Sequence, residues 1–394
     1  MKIESIRLKN YKAFKDFEVR NLPNLMIIVG ANGSGKSTLF DVLGFLSDAL
    51  KNNIRQALAL RGGFKEVITR AMSGFIEIEM QFRLTLASKE RLITYLLQIG
   101  EEKGRPYINR EILRYKRGAY GSPYHFLDFT RGSGFAINNE EDFDKTDEEL
   151  TREHQKLASD DTLAIKGLGQ FERFKAASAF RHFIENWHVS DFHIEHARPS
   201  REAGYAEHLS TSGENLALVA QYLFENHPAV FDEVLIKMQQ RVPGIEKVSA
   251  ESTVDGRIIL RFKDGSFKDP FIANHVSDGT IKMFAYLMML NDPSPHPLLC
   301  VEEPENQLYP ILLQELLEEF RLYAEKGGQV FVTSHSPDFI DGAKPEEVFW
   351  LVKKDGYSTI HRASDSPEIV ALFEEGDKLG YLWKENYFAN SHPF

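Results

Sequence analysis

The sequence predicts an α/β fold in which both ends of the chain build one head around a central insertion. Residues 25 to 29 form a short, continuously apolar run, typical of a strand buried on both faces, and a glycine-rich turn leads from it into an amphipathic helical pattern. A second alternation of buried strands and helices fills the last third of the chain, with helices expected over residues 280 to 290 and 311 to 325. Strand-like and then helical patterns separate these two parts.

The order of these patterns gives the expected organisation. The N-terminal half of the head, with an antiparallel β-subsheet, is expected over residues 1–135, because residues 1 to 20 and 75 to 139 alternate as strands. A central, mostly helical insertion is expected over residues 136–265, and the C-terminal half of the head over residues 266–394. Helices should flank the mixed sheet of this head.

The composition is that of a soluble globular protein, with 42% apolar and 27% charged residues among 394. The only cysteine is Cys300, no apolar run is long enough to span a bilayer, and the charged N-terminus shows no secretory signal, so a cytoplasmic location is expected. The net charge of −11 argues mildly against coating DNA. DNA contact would need a local basic patch, and Arg105–Arg117 is the densest candidate.

The glycine-rich turn from Gly30 to Ser37, with the sequence GANGSGKS, fits the P-loop pattern at every fixed position. Its glycines let successive backbone N–H groups point at phosphate oxygens, and the following helix adds its positive N-terminal dipole. Lys36 should reach the β- and γ-phosphates, and the Ser37 hydroxyl should ligate Mg²⁺. ATP and Mg²⁺ are therefore the predicted ligands, with GTP not discriminated. The predicted binding residues of this turn are Asn32, Gly33, Ser34, Gly35, Lys36, Ser37 and Thr38.

Two adjacent acids follow the predicted strand of residues 298 to 301, at the strand end where an open α/β sheet places its ligand crevice. Glu302 is expected to hold Mg²⁺, directly or through water, and Glu303 to act as general base on the attacking water. The next predicted strand leads into His335, which should hydrogen-bond the γ-phosphate as a sensor. Lys36, Glu303 and His335 are therefore the predicted catalytic residues.

A second glycine turn, from Ser277 to Gly279, precedes a predicted helix. Ser and Gly at a helix N-terminus form another anion site, although an ordinary N-cap is the alternative interpretation. Two phosphate sites for one nucleotide make sense if the second serves a nucleotide held by another subunit. The sequence thus predicts an ATP-dependent homodimer.

These four elements together resemble the ABC-type ATPase heads of the RecF, SMC and OLD group, and within it the stand-alone predicted AAA-family ATPases. GANGSGKS matches the Walker A form of the group, VSDGT at 276–280 its signature motif, CVEEPENQLYP at 300–310 its Walker B and D-loop, and TSHSP at 333–337 its switch histidine. The resemblance implies ATP hydrolysis that is slow or stimulated by a partner. It also implies that Tyr11, Lys12 and Phe14 flank the adenine or ribose.

The sequence departs from this group in several ways. Glu302 stands where the group often has Asp, and no glutamine is a firm Q-loop residue, although Gln81 lies on a plausible strand. The middle of the chain lacks the heptads of SMC-like coiled-coil arms. Too few residues follow the last strand of the head for the Toprim nuclease domain of OLD-type proteins. We therefore expect no nuclease activity from the isolated chain.

A histidine-rich segment, HVSDFHIEH, suggests a metal site only at first sight. Strand alternation would place Asp191 and His193 on one face and His188 and His196 on the other, which disfavours a shared ion. 

Two functions remain open at this point. The first is an ATP-gated homodimer that controls a separate effector, a nuclease or toxin, as in phage defence or toxin–antitoxin pairs. The second is a clamp that acts directly on DNA, as in repair. The acidic charge and the missing effector domain slightly favour the first.

Overall fold

The computed structural model describes residues 1–86, 89–115, 124–137 and 152–388. Its strands are β1 Lys2–Tyr11, β2 Phe14–Arg20, β3 Leu25–Val29, β4 Ile76–Leu86, β5 Lys89–Glu102, β6 Arg105–Tyr115, β7 Tyr124–Thr130, β8 Ser133–Ile137, β9 Arg152–Lys156, β10 His188–Ser190, β11 Arg201–Glu202, β12 Ile245–Ser252, β13 Arg257–Asp264, β14 Phe271–Ile272, β15 Leu298–Glu302, β16 Gln329–Thr333, β17 Val348–Lys354 and β18 Tyr357–Arg362. Its α-helices are α1 Lys36–Lys51, α2 Ile54–Ala59, α3 Phe64–Val67, α4 Ala164–Leu168, α5 Lys175–Glu185, α6 Ile194–Ala197, α7 Leu216–Asn226, α8 Pro228–Arg241, α9 Asp278–Leu290, α10 Ile311–Glu325, α11 Pro337–Ile340, α12 Pro367–Glu374 and α13 Leu379–Lys384.

The chain divides into two compact units, and both are discontinuous in sequence. Unit 1 contains residues 1–187, 346–366 and Phe388, and unit 2 contains residues 188–345 and 367–387. The division into an N-terminal half, an insertion and a C-terminal half with boundaries near residues 135 and 265 stays a prediction.

Unit 1 contains a long antiparallel sheet in the order β2-β1-β4-β5-β6-β7-β8-β9, in which each neighbouring pair is antiparallel. The predicted β-rich character of residues 75 to 139 is confirmed wherever those residues are described. Helix α5 covers one face of this sheet, where the Phe180 ring stacks on Phe82 with centroids 4.4 Å apart and lies 4.7 Å from Tyr95. Such aromatic packing adds to the burial that fixes the helix there.

The strand before the glycine turn also lies in unit 1. All five residues of β3 are buried, and β3 pairs in parallel with β17, which pairs antiparallel with β18. A strand buried on both faces needs a continuously apolar sequence, and LMIIV supplies it. Helix α1 then begins at Lys36, directly after the turn.

Unit 2 contains the parallel strands β10, β15 and β16. The sequence predicted helices over residues 280 to 290 and 311 to 325, and α9 and α10 confirm them. Most of α9 is buried, because its sequence is apolar on nearly all sides. A smaller antiparallel sheet of β11, β13, β12 and β14 belongs to the same unit.

Some sequence expectations lie outside the described residues or need correction. The acidic run of residues 139–150 falls outside them, as do Lys116 and Arg117 of the basic stretch. Residues 136–265, predicted as mostly helical, also contain the strands β9, β10, β11, β12 and β13. Among the described residues, no helix combines the length and apolar character that crossing a bilayer requires.

Candidate nucleotide site

The glycine turn has a backbone that other residues would not adopt. Gly30, Gly33 and Gly35 have φ angles of 151°, 76° and 104°, all in the region that favours glycine. A Cβ on Gly30 would lie 2.8 Å from Ser34 Oγ and 2.9 Å from the carbonyl oxygen of Leu351, too close for any side chain. The loop therefore has a compact, curved backbone of the kind whose N–H groups can surround a phosphate chain.

The side chain of Lys36 binds the backbone at the start of this loop. Lys36 is the first residue of α1 and is buried, and its Nζ donates to the carbonyl oxygens of Gly30 at 2.8 Å and Ala31 at 3.2 Å. A buried ammonium needs such acceptors, and phosphate oxygens can take their place. Around it, Asn32, Gly33 and Ser37 are exposed, Thr38 and Gly35 are partly exposed, and Ser34 is buried.

Two of the three residues expected beside the adenine or ribose are buried aromatic residues. Tyr11 and Phe14 are fully buried, so neither ring offers a face on which a base could stack. The Tyr11 hydroxyl donates to Asp41 Oδ2 at 2.8 Å, and Lys12 forms an ion pair with the same carboxylate. Both rings belong to the core of unit 1, and the implied place of Tyr11, Lys12 and Phe14 beside the adenine or ribose stays a prediction. Gln81 lies within β4, as expected.

In unit 2, the predicted acids stand at the end of β15. Glu302 is the last residue of that strand, and both Glu302 and Glu303 are partly exposed. Glu303 has a φ of 44°, uncommon for a residue other than glycine. Its Oε1 lies 2.9 Å from Nε2 of His335, and its Oε2 accepts from Asn306 Nδ2 at 3.0 Å. Two neighbours thus fix the carboxylate expected to act as base.

Glu305 fixes the turn that carries His335. Its Oε1 accepts a hydrogen bond from Ser334 Oγ at 2.9 Å and from the backbone N–H of His335 at 2.6 Å. His335 thus contacts two acids that follow β15, because its ring lies beside Glu303 and its backbone N–H donates to Glu305.

Lys282 joins the second glycine turn to the same loop. It lies on α9 and is buried, and its Nζ donates to the carbonyl oxygen of Asn306 at 2.7 Å and, more weakly, to that of Glu303 at 3.5 Å. Burial lowers the pKa of Lys282 to about 8, although the carboxylates of Glu305 and Glu303 oppose this shift. Helix α9 therefore contacts the backbone of Glu303, the predicted base, through a buried cation.

The second glycine turn is itself open to solvent. Ser277 caps α9, because its Oγ accepts from the N–H of Thr280 at 3.3 Å, and the side chain is exposed. A Cβ on Gly279 would lie 2.8 Å from the carbonyl oxygen of Gln307, so glycine allows the turn to approach the D-loop. Arg198 pairs with Asp278 and donates to the carbonyl oxygen of Ala273 at 2.7 Å. The turn is therefore held both by the Ser277 cap of α9 and by the contacts of Arg198.

Each unit thus brings some of the predicted residues together. Unit 1 holds the whole phosphate turn, and unit 2 holds the second glycine turn, the paired acids and His335. No individual role was predicted for Lys282, Glu305 or Asn306. Lys282 had a usable signal, because it stands alone as a charge deep within an otherwise apolar helix, whereas the contacts of the other two depend on the folded D-loop.

The histidine-rich segment does not form the strand that was expected. Strand β10 ends at Ser190, and His193 is the residue that precedes α6, so alternation does not continue to His196. His193 Nε2 lies 3.3 Å from Asp191 Oδ2, while His188 is buried with its ring stacked on His296. The segment therefore does not have the strand alternation on which the argument against a shared ion rested.

Comparison with solved structures shows the fold. An SMC head bound to the C-terminal winged-helix domain of ScpA matches with a TM-score of 0.57 and 15% identity, over 92% of this chain and 98% of that one. An SMC head with an extended coiled coil from Pyrococcus furiosus, bound to the C-terminal domain of ScpA, matches with a TM-score of 0.50 and 14% identity over 94% and 99%. The predicted P-loop ABC-type ATPase head is confirmed.

Comparison with curated proteins and families gives a relative and a family. A Helicobacter pylori protein named ATP/GTP phosphatase is 21% identical over 96% of this chain and 99% of its own length. The family model described as AAA domain, putative AbiEii toxin, type IV TA system matches residues 25–341, most of the chain. The predicted hydrolysis of ATP is confirmed by this match. The chain is a member of this AAA-domain ATPase family.

Proposed function

We propose that the chain works as an ATP-gated homodimer that controls a separate effector protein, a nuclease or toxin, and belongs to the stand-alone RecF and OLD-like branch of ATPase heads. The observation that carries the proposal lies in unit 2, where the exposed turn at Ser277 abuts the D-loop that also holds the base Glu303 and, through Glu305, His335. A second protomer that contacts this turn can therefore influence the base.

Nucleotide binding would begin at the phosphate turn. Phosphate oxygens replace the carbonyls of Gly30 and Ala31 as acceptors for Lys36, and backbone N–H groups from Gly33 to Thr38 complete the cradle. The Ser37 hydroxyl is exposed at the start of α1, and the Glu302 carboxylate is partly exposed, which suits oxygen ligands of Mg²⁺. Bound Mg²⁺ would neutralise charge on the phosphates.

Glu303 is the general base of this scheme. Its carboxylate would take a proton from the attacking water while Asn306 holds its other oxygen. His335 lies 2.9 Å from Glu303, so a γ-phosphate that accepts from His335 competes with Glu303 for the imidazole. The γ-phosphate would thereby free the base at the moment when it is needed.

The second copy of the chain supplies Ser277 and Gly279 to the same γ-phosphate. In a pair with two-fold symmetry, each of the two nucleotide sites would combine the phosphate turn of one copy with the second glycine turn of the other. Tyr309 and Ile311 strengthen the case for an interface, because they lie at the end of the Walker B and D-loop segment and directly after it and are 71% and 69% exposed. Hydrolysis would remove the shared contact and open the pair.

Control of a separate effector is supported by the comparisons. The description of the family names a type IV toxin–antitoxin system, and the SMC heads of similar fold were solved with a partner domain bound. A protein partner rather than DNA also suits the net charge of −11.

The alternative function is a clamp on DNA. The candidate patch is Arg105–Arg117, but within it Arg110 is neutralised by Asp128, with Nη2 and Oδ2 2.8 Å apart. If DNA is bound there, reversing the charges of Arg105 and Arg114 should weaken binding and flatten its salt dependence. Tight binding with an unchanged salt slope would exclude the patch.

Turnover measurements separate the two functions. Glu303→Gln should lower ATP turnover by roughly 10²–10⁴-fold and keep ATP binding, because the amide preserves the shape but not the base. The control is Glu225→Gln, an exposed residue of α7 in the same unit, which should turn over normally. Stimulation by a partner protein and not by DNA supports effector control, whereas strong stimulation by DNA supports the clamp. Cleavage of DNA by the pure chain would contradict both forms of the proposal.

A further inference from the structure

A second group of ligand-type side chains lies in unit 2 at the opposite ends of α9 and β15 from Ser277 and Glu302. His208, Asp292 and His296 each offer one ligand atom, and these atoms lie within 4.8 Å of one another. Among the residues that the structure describes, no other group of three such side chains brings its ligand atoms this close together. Helix α9 has 13 residues and hence a length of about 20 Å, so this group is remote from the second glycine turn.

The three side chains come from two segments. His208 belongs to the loop of residues 203–215 between β11 and α7, whereas Asp292 and His296 belong to the turn of residues 291–297 between α9 and β15. The Nδ1 atom of His208 lies 2.6 Å from Oδ2 of Asp292, and the His208 and His296 ring centroids are 5.0 Å apart. The group therefore joins the loop to the turn.

Neighbouring polar groups hold one carboxylate oxygen of Asp292 and the backbone of both histidines. Asp292 uses Oδ1 to accept from the N–H of Ser294 at 2.8 Å, which leaves Oδ2 towards His208. The carbonyl oxygen of His208 accepts from Asn215 Nδ2 at 2.9 Å, and that of His296 accepts from the Tyr323 hydroxyl at 2.8 Å. Such outer contacts orient ligands before an ion arrives.

A buried imidazole completes the surroundings. His188 is 6% exposed, and its ring stacks on that of His296 with centroids 4.8 Å apart. Its Nε2 is buried and makes no hydrogen bond within the described part of the chain. An unsatisfied buried nitrogen on a ring beside two further imidazoles is costly for ordinary packing and suits a polar, ion-holding pocket.

We propose that His208, Asp292 and His296 bind a divalent transition metal ion of the zinc class, which fastens the 203–215 loop to the turn between α9 and β15. Imidazole nitrogens with one carboxylate favour Zn²⁺ and its neighbours, whereas Mg²⁺ and Ca²⁺ favour oxygen ligands alone.

The geometry requires a small movement. Ligand atoms around tetrahedral Zn²⁺ lie roughly 3.4 Å apart, given bonds of about 2.0–2.1 Å. The His208 side chain is 37% exposed, so it can turn to replace its contact with Asp292 by a bond to the ion. Three protein ligands would leave the fourth position of a tetrahedral ion to water.

Titration of the chelator-treated full chain with Co²⁺, in the absence of nucleotide, tests this site. Co²⁺ in a tetrahedral nitrogen and oxygen site should give visible absorption that saturates at one equivalent per chain, and Zn²⁺ should displace it. His208→Ala and Asp292→Asn should each weaken binding by more than the roughly 10–100-fold expected for loss of an outer contact. His193→Ala is the matched control, because it removes an imidazole from the rival histidine-rich segment, and it should leave the spectrum unchanged.

Backbone hydrogen exchange gives an independent readout. Zn²⁺ should slow exchange in residues 203–215 and 291–297 of the wild type but not of His208→Ala. Absence of stoichiometric Co²⁺ binding would overturn the proposal and leave the group as an ordinary ion pair. Binding that survives His208→Ala and Asp292→Asn, or that is lost in His193→Ala, would also overturn it.

Discussion

At the scale of single residues, Lys282 connects the second glycine turn with the base. Its ammonium donates to carbonyl oxygens of the D-loop next to Glu303, whose backbone has the unusual φ of 44°. Since a strained conformation persists only where its surroundings impose it, we assign Lys282 the role of a positioning residue for Glu303.

This role predicts a pH dependence of turnover. Because the pKa of Lys282 is lowered to about 8, its charge is lost as the pH rises through that value, and ATP turnover should fall there. Lys282→Arg keeps its charge and should abolish this decline. Lys282→Met should lower kcat more than it raises KM. Steady-state kinetics across pH measures both, with the exposed Lys326→Met as control.

The same shift has the opposite effect on stability. Between about 8 and the value of 10.5 for a free lysine, the unfolded chain binds more protons than the folded one, so this group makes folding more favourable as the pH rises. A decline of turnover above pH 8 that accompanies unfolding, or that persists in Lys282→Arg, would therefore contradict the positioning role.

At the scale of elements, the phosphate turn depends on its glycines to different degrees. Gly33→Ala should cost about 1–2 kcal/mol, because its φ is 76° but no atom lies within 4 Å of the added Cβ. Gly30→Ala should cost more, since its Cβ would also meet the backbone of Leu351 at 2.9 Å. Thermal unfolding without nucleotide measures both. Gly104→Ala, with a φ of 75° and open space, is the control, and equal losses in all three would refute the steric argument.

Strand β6 contains a buried carboxylate that couples stability to pH. Glu111 accepts from the N–H groups of Ala164 and Ile165 at 2.5 and 3.1 Å and from the Tyr95 hydroxyl at 3.2 Å. Burial nonetheless raises its pKa to about 7, with the hydrogen bonds opposing the shift.

The raised pKa of Glu111 predicts the direction of that coupling. The folded chain binds this proton more tightly than the unfolded chain does. The contribution of Glu111 to the free energy of unfolding is therefore complete below about pH 4.5, and roughly 3 kcal/mol of it is lost as the pH rises to about 7. Glu111→Gln should remove this dependence in urea unfolding, whereas the exposed Glu172→Gln should not. A slope that is unchanged in Glu111→Gln would disprove the assignment.

Elements with strong periodicity were predictable from the sequence, and contacts between distant segments were not. The helix expected over residues 311 to 325 has those bounds in the structure, because apolar side chains recur along one face. Strand β10 ended earlier than alternation suggested, since it pairs only over residues 188–190. The group of His208, Asp292 and His296 could not be predicted from the sequence, because His208 and Asp292 are far apart along the chain and meet only in the fold.

At the scale of the whole molecule, the proposal requires that ATP favour the paired state over the single chain. A ligand shifts such an equilibrium only by its difference in affinity for the two states. The γ-phosphate provides that difference, because it alone would touch Lys36 of one copy and Ser277 of the other. ADP lacks it and should leave the chains apart.

The most direct test of this claim is light scattering of two variants with Mg-ATP. Glu303→Gln should accumulate as an ATP-bound dimer, since it keeps the nucleotide and lacks the base that ends the paired state. Ser277→Arg should bind ATP as a monomer, because a bulky cation at an exposed turn blocks closure without touching the phosphate loop. A Glu303→Gln protein that binds ATP but stays monomeric, or a Ser277→Arg protein that turns over ATP normally, would contradict the ATP-gated homodimer.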